Sequence, residues 1–98
     1  MEFEWDEEKS AANERDPHRR LPFEAAIPLF EAPYLVSEDD RHSYGEKRLR
    51  AVGVTGGLVV LCTFTDRQQP DGSFVRRIIS LHIAPRKMRH AYRETFSG

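Results

Sequence analysis

The spacing of apolar residues changes character midway along the chain. Before about residue 47 they recur at helical intervals, and after it they alternate singly or run together as strands do. FEW near the start has the make-up of a short strand, and Asp6 is placed to cap a helix over EEKSAANER, whose glutamates favour the helix dipole. Pro17 ends that helix, because it pushes Asp16 out of helical geometry. A second short helix follows Pro22, with Phe23, Ala26, Ile27 and Phe30 on one face and a kink expected at Pro28. SEDDRHSYGEK is polar and reads as a loop or irregular edge.

In the second half, RLRAVGV sets Leu49, Ala51 and Gly53 against Arg48 and Arg50 on alternate sides, the period of a half-buried strand. Gly56 and Gly57 mark a hairpin turn, and LVVLCTFT suits a central strand buried on both faces. QQPDGS is a loop, and FVRRIISLHIA is the next strand. Strict alternation there groups Arg77, Ile79, Leu81 and Ile83 against Arg76, Ile78, Ser80 and His82. PRKMRHAYRETF opens on proline and predicts a helix with Met88, Ala91, Tyr92 and Phe96 on its inner face, leaving Arg86, Lys87, Arg89 and Arg93 outside. The expected fold class is α+β, with two N-terminal helices packed on an antiparallel meander and a closing helix. A length of 98 residues holds one core, so a single domain over 1–98 is expected.

Charge sharpens this division. Residues 1–47 hold 6 basic and 13 acidic residues, a balance of −7, whereas residues 48–98 hold 9 and 3, a balance of +6. The sequence pI near 6.4 lacks the strongly basic footprint of a direct DNA binder. No stretch approaches the apolar length of a membrane span, and the acidic start is unlike a secretory signal. The lone Cys62 lies in an apolar run and reads as a buried, inert thiol, so a cytoplasmic location is expected. Four histidines and one cysteine show no metal-ligand spacing, and no glycine-rich phosphate loop is present, so neither metal nor cofactor is expected. Arg48, Arg50, Arg67 and one of Arg76 or Arg77 come from neighbouring strands and are expected to line one phosphate-binding face.

FEWDEEKSAAN, FEAA with Phe30, DDRHSYGEKRLRAVG, LVVLCTFTDR, RRIIS and the closing MRHAY together resemble the BrnT family of toxins, which share the RelE/ParE fold. The resemblance implies a type II toxin: a ribonuclease that cleaves RNA, blocks translation and is neutralised by a BrnA-like ribbon-helix-helix antitoxin. DNA would then be met only through that antitoxin, and self-pairing within the complex is left open. Lys9, Asn13, Arg48, Arg67 and Arg77 fall on polar positions of the family pattern, and Arg67 is the foremost candidate for phosphate. The chain departs from the pattern twice: DPHRRLP stands for K-H-G, making His18 the counterpart of the family histidine, and Ser80, Leu81 and His82 stand for S-A-R. His82, His18 and Arg67 are therefore the expected catalytic groups, with Lys9, Asn13, Arg48, Arg50, Arg76 and Arg77 binding RNA. A second reading keeps the fold and drops the chemistry, leaving a binding module in an antitoxin and DNA-bound complex.

Overall fold

A computed structural model of the chain describes residues 1–41 and 45–96, so His42, Ser43 and Tyr44, part of the expected loop, lie outside the described residues. The elements are strand β1 (Glu2–Glu4), helix α1 (Glu7–Arg15), two 3-10 turns (Phe23–Ala26 and Pro28–Glu31), strands β2 (Leu35–Glu38), β3 (Leu49–Thr55), β4 (Leu58–Gln68) and β5 (Phe74–Ile83), and helix α2 (Arg86–Phe96). The sheet order is β1-β5-β4-β3-β2. Strands β3 to β5 form the expected antiparallel meander, β2 extends it by one further antiparallel strand, and β1 adds to the edge of β5 in parallel, so the sheet is mixed.

Local chemistry explains most boundaries. Asp6 caps α1 by accepting from the Glu8 and Lys9 amides at 2.9 and 3.2 Å. The expected second helix is instead two 3-10 turns. Pro28 has no N–H to give Glu24, so the chain tightens to three-residue bonds, Ile27 N–H to the Glu24 carbonyl and Phe30 N–H to the Ile27 carbonyl, each 3.1 Å. Gly56 and Gly57, at φ of 55° and 79°, make the two-residue turn that joins β3 to β4. SEDD is less irregular than its polarity suggests, since Ser37 and Glu38 complete the exposed edge strand β2.

The sheet carries a core on each face. On the back face, Phe23, Ala26 and Leu29 from the 3-10 turns pack on Ala51, Val60, Cys62, Phe64, Ile78 and Leu81. The approach is close enough at Gly53 that a Cβ would stand 2.8 Å from Leu29 Cγ. On the front face, α2 covers only part of the sheet, bringing Tyr92 and Met88 against Val52, Val59 and Leu61. Ala91 and Phe96, expected on its inner face, are exposed. Phe96 rests against Tyr92, with ring centres 4.9 Å apart.

Candidate nucleic-acid interface

Strand register places the front-face residues in rows, because partners across a sheet point the same way. Leu35, Val52, Leu61 and His82 form one row across β2, β3, β4 and β5, and Ser37, Arg50, Thr63 and Ser80 form the next. Thr65, Arg77 and Glu4 make a third row, beyond which lies Arg67. α2 lies over the first row at Val52 and Leu61.

A β-bulge decides which arginine joins these rows. Thr63 pairs with Ser80 but Phe64 pairs with Ile78, leaving Ile79 as an extra residue in β5. The alternation reverses at that point. Arg77 thus shares the front face with Ser80 and His82, while Arg76 goes to the back. This corrects the grouping of Arg76 with His82 that strict alternation predicts. Arg76 there donates from Nε and Nη2 to both Asp66 carboxylate oxygens at 2.8 Å. Its guanidinium lies 4.7 Å from the Phe30 ring centre and 4.4 Å from that of Phe64. The bonds to Asp66 raise its pKa further above the ordinary arginine value.

The front arginines are held loosely by comparison. Arg67 approaches Glu4 at 3.7 Å and Glu46 at 3.8 Å, Arg77 approaches Glu4 at 3.7 Å, and Arg48 approaches Glu46 at 3.6 Å. The Arg67 side chain is 52% exposed. Ion pairs of that length and exposure contribute about 0–1 kcal/mol, so a phosphate can displace the carboxylates at little cost. The Nε of Arg50 is buried and, among the described residues, has no hydrogen-bond partner. Arg50 borders a groove of about 230 Å3 formed with Leu35, Val36, Leu61, Met88 and Ala91.

His82 is the imidazole of these rows. Its Nδ1 lies 3.0 Å from the Ile83 carbonyl, which can only accept, so that bond puts the proton on Nδ1 and leaves Nε2 as an acceptor. Leu61, opposite His82, is six residues from Arg67 along β4, roughly 20 Å at the rise of an extended strand. His82 and Arg67 therefore flank the site from opposite ends, and Arg50, Ser80 and Arg77 occupy its middle.

The remaining candidates sit elsewhere. Asn13 is buried and donates from Nδ2 to the Leu21 and Leu81 carbonyls at 2.7 and 2.8 Å, tying α1 to the open edge of β5. Lys9 and His18 are exposed, on α1 and in the turn after it. Among the described residues, neither forms an ion pair or hydrogen bond with the arginine rows. Glu4 was not legible as a site residue. Alternation within FEW sets it opposite Phe3 and Trp5, but nothing in the sequence announces its distant parallel partner.

Among the described residues, no group of three or more His, Cys, Asp or Glu is arranged to hold a metal ion. No helix among them is long and apolar enough to cross a membrane. No curated protein is significantly similar to the chain. A family model described as the ribonuclease toxin, BrnT, of a type II toxin–antitoxin system matches residues 5–88, a span from Trp5 to Met88 that contains every front-face arginine. That match and the α+β arrangement, a mixed sheet flanked by N- and C-terminal helices, agree with the resemblance carried by the sequence motifs. The chain belongs to the BrnT family of toxins.

Proposed function

We propose that the chain is an endoribonuclease toxin that needs no metal, cleaves RNA in the cytoplasm to stop translation, and is held inactive by a BrnA-like ribbon-helix-helix antitoxin. The observation that supports this reading is the convergence of Arg48, Arg50, Arg67 and Arg77 on the front face. Their guanidiniums can take up the charge that builds on a phosphate under attack, a role that dominates catalysis of this kind. The RNA 2'-oxygen forms a bond to phosphorus, its proton passes to His82 Nε2, and the P–O5' bond breaks. The imidazolium then returns the proton to the leaving oxygen, giving a 2',3'-cyclic phosphate and a 5'-hydroxyl end. Ser80 stands beside this path as a neutral donor.

The test is cleavage of a defined RNA by the purified chain in the presence of EDTA. The double variant Arg50→Gln/Arg77→Gln is expected to lose at least about 100-fold in rate while keeping its fold. Arg67→Lys, which retains charge but not the planar fork, is expected to lose less, because Arg67 stands at the end of the site. His82→Ala and His82→Arg should both lose most of the rate, since neither side chain can take the 2'-hydroxyl proton and return it. A parent chain that fails to cleave RNA or arrest growth, yet still co-purifies with its antitoxin, would instead support the second reading, a docking module with weakened catalysis. That reading draws on His82 being the one imidazole in the described sheet rows.

A further inference from the structure

We infer that the outer face of α2 is a second, sequence-independent binding surface for the RNA backbone, continuous with the arginine rows. The inference deepens the ribonuclease reading and rests on it for the identity of the polyanion. α2 carries Arg86, Lys87, Arg89 and Arg93 against one carboxylate, Glu94, within a chain whose formal net charge is −1. Four of these five charged side chains, together with His90, line a shallow concavity of about 640 Å3.

The pairing of these groups separates them from four arginines of the sheet and its margin. Arg48, Arg67, Arg76 and Arg77 each face a carboxylate. On α2, Arg89 is used locally, donating from Nη1 to the Ala84 carbonyl at 2.7 Å. His90 takes up Glu94 at 3.1 Å. Arg86, Lys87 and Arg93 are exposed and, among the described residues, form no ion pair or hydrogen bond through their side chains. Arg86, His90 and Arg93 follow one another at intervals of four and three residues, so they form a stripe about 10 Å long at the rise of an α-helix.

The chemistry of the lining selects the ligand. Protein interfaces bury an apolar centre from which charge is depleted, whereas among the described residues no apolar side chain lines this concavity. A lining made of arginine, lysine and histidine side chains fits a phosphate backbone. Position supports the same ligand, since Met88 and Ala91 on the other side of α2 share a groove with Arg50. A strand held at Arg50 and Arg77 can pass over the rim of that groove onto the cations of α2. The family match ends at Met88, so Arg89, His90 and Arg93 add to the matched region rather than belonging to it.

The experiment measures binding separately from cleavage. Fluorescence anisotropy would follow a 20-nucleotide and a 5-nucleotide RNA, each 2'-deoxy throughout its cleavable positions, between 0.05 and 0.3 M salt. For the longer RNA, Arg86→Gln/Lys87→Gln/Arg93→Gln should weaken binding at least tenfold at low salt. It should also lower the slope of log affinity against log salt by about 2, the release expected when three single-strand phosphate contacts are lost. Binding of the short RNA should be unchanged. Glu94→Gln, which removes the one carboxylate of this face, should tighten the long RNA severalfold. Unchanged affinity and slope for the long RNA would overturn the inference, as would equal losses for both lengths. It would equally be overturned if the triple variant bound RNA normally but no longer held its antitoxin, since the surface would then address an acidic protein. The ribonuclease reading is judged in parallel on an all-ribose RNA. A parent that binds long RNA through α2 without cleaving it sinks that reading and leaves this one standing.

Discussion

Replacing Asn13 by alanine removes one side-chain amide that serves two backbone carbonyls, and it leaves Leu81 O without a partner in a buried setting. A net hydrogen bond contributes about 1 kcal/mol, and a buried acceptor stripped of its donor costs about 1–3 kcal/mol, so the expected loss is about 2–4 kcal/mol. A domain of this length has a total stability of roughly 5–15 kcal/mol, which makes the change large but survivable. At about 4–8 °C per kcal/mol, the melting temperature should fall by roughly 8–32 °C. Asn13→Asp is the sharper probe: it keeps the shape but turns the donor into an acceptor facing two carbonyl oxygens, and should destabilise at least as much at neutral pH. Both variants would be melted by circular dichroism and assayed for RNA cleavage well below their transitions, where the folded fraction should cleave like the parent. A melt within about 2 °C of the parent, accompanied by a tenfold loss of cleavage, would refute the structural assignment and return Asn13 to the RNA site.

Three further outcomes follow from the same contacts. Arg76→Ala breaks the paired bonds to Asp66 and the stacking on Phe30 and Phe64, and should cost about 2–3 kcal/mol in urea unfolding while the folded variant cleaves RNA normally. Asp39 accepts from Arg41 Nε and Nη2 at 2.7 and 3.0 Å, which lowers its carboxyl from 3.8 to about 2. Because the folded value is the lower one, that contribution is complete above about pH 4 and disappears as pH falls toward 2; the substitution Asp39→Asn should abolish this acid-sensitive part of the stability curve, as urea unfolding across that range would show. Burial pushes the Cys62 thiol up to about 12, so a maleimide should label it only at the rate of unfolding, and rapid labelling of the native chain would contradict its placement.

Residues 48–83 were largely legible because β3 and β4 obey simple periodicities: RLRAVGV alternates, the run from Val59 to Phe64 is buried throughout, and two glycines supply the turn between them. The site was legible as a set of residue types and less so as a geometry. One extra residue, Ile79, exchanges the faces of Arg76 and Arg77, and a bulge of this kind leaves no mark in an unbroken apolar-basic run. The family pattern marked Lys9 and Asn13 as polar positions, but it could not show that Asn13 meets a strand 68 positions away. β2 was obscured for the reason edge strands usually are, since its exposed polar residues resemble those of a loop.

The parallel seam between β1 and β5 also bears on how the toxin comes into being. Glu2 pairs with Val75, 73 positions later, so β1 has no partner until almost the whole meander has been synthesised. Contacts of such long range are slow to form, because the chain loses loop entropy before it gains any pairing energy. Glu4 reaches Arg67 and Arg77 only through this seam, so those two ion pairs wait on the same late event. A ribosome making this chain therefore completes most of the polypeptide before the seam can close and the five-stranded sheet is whole.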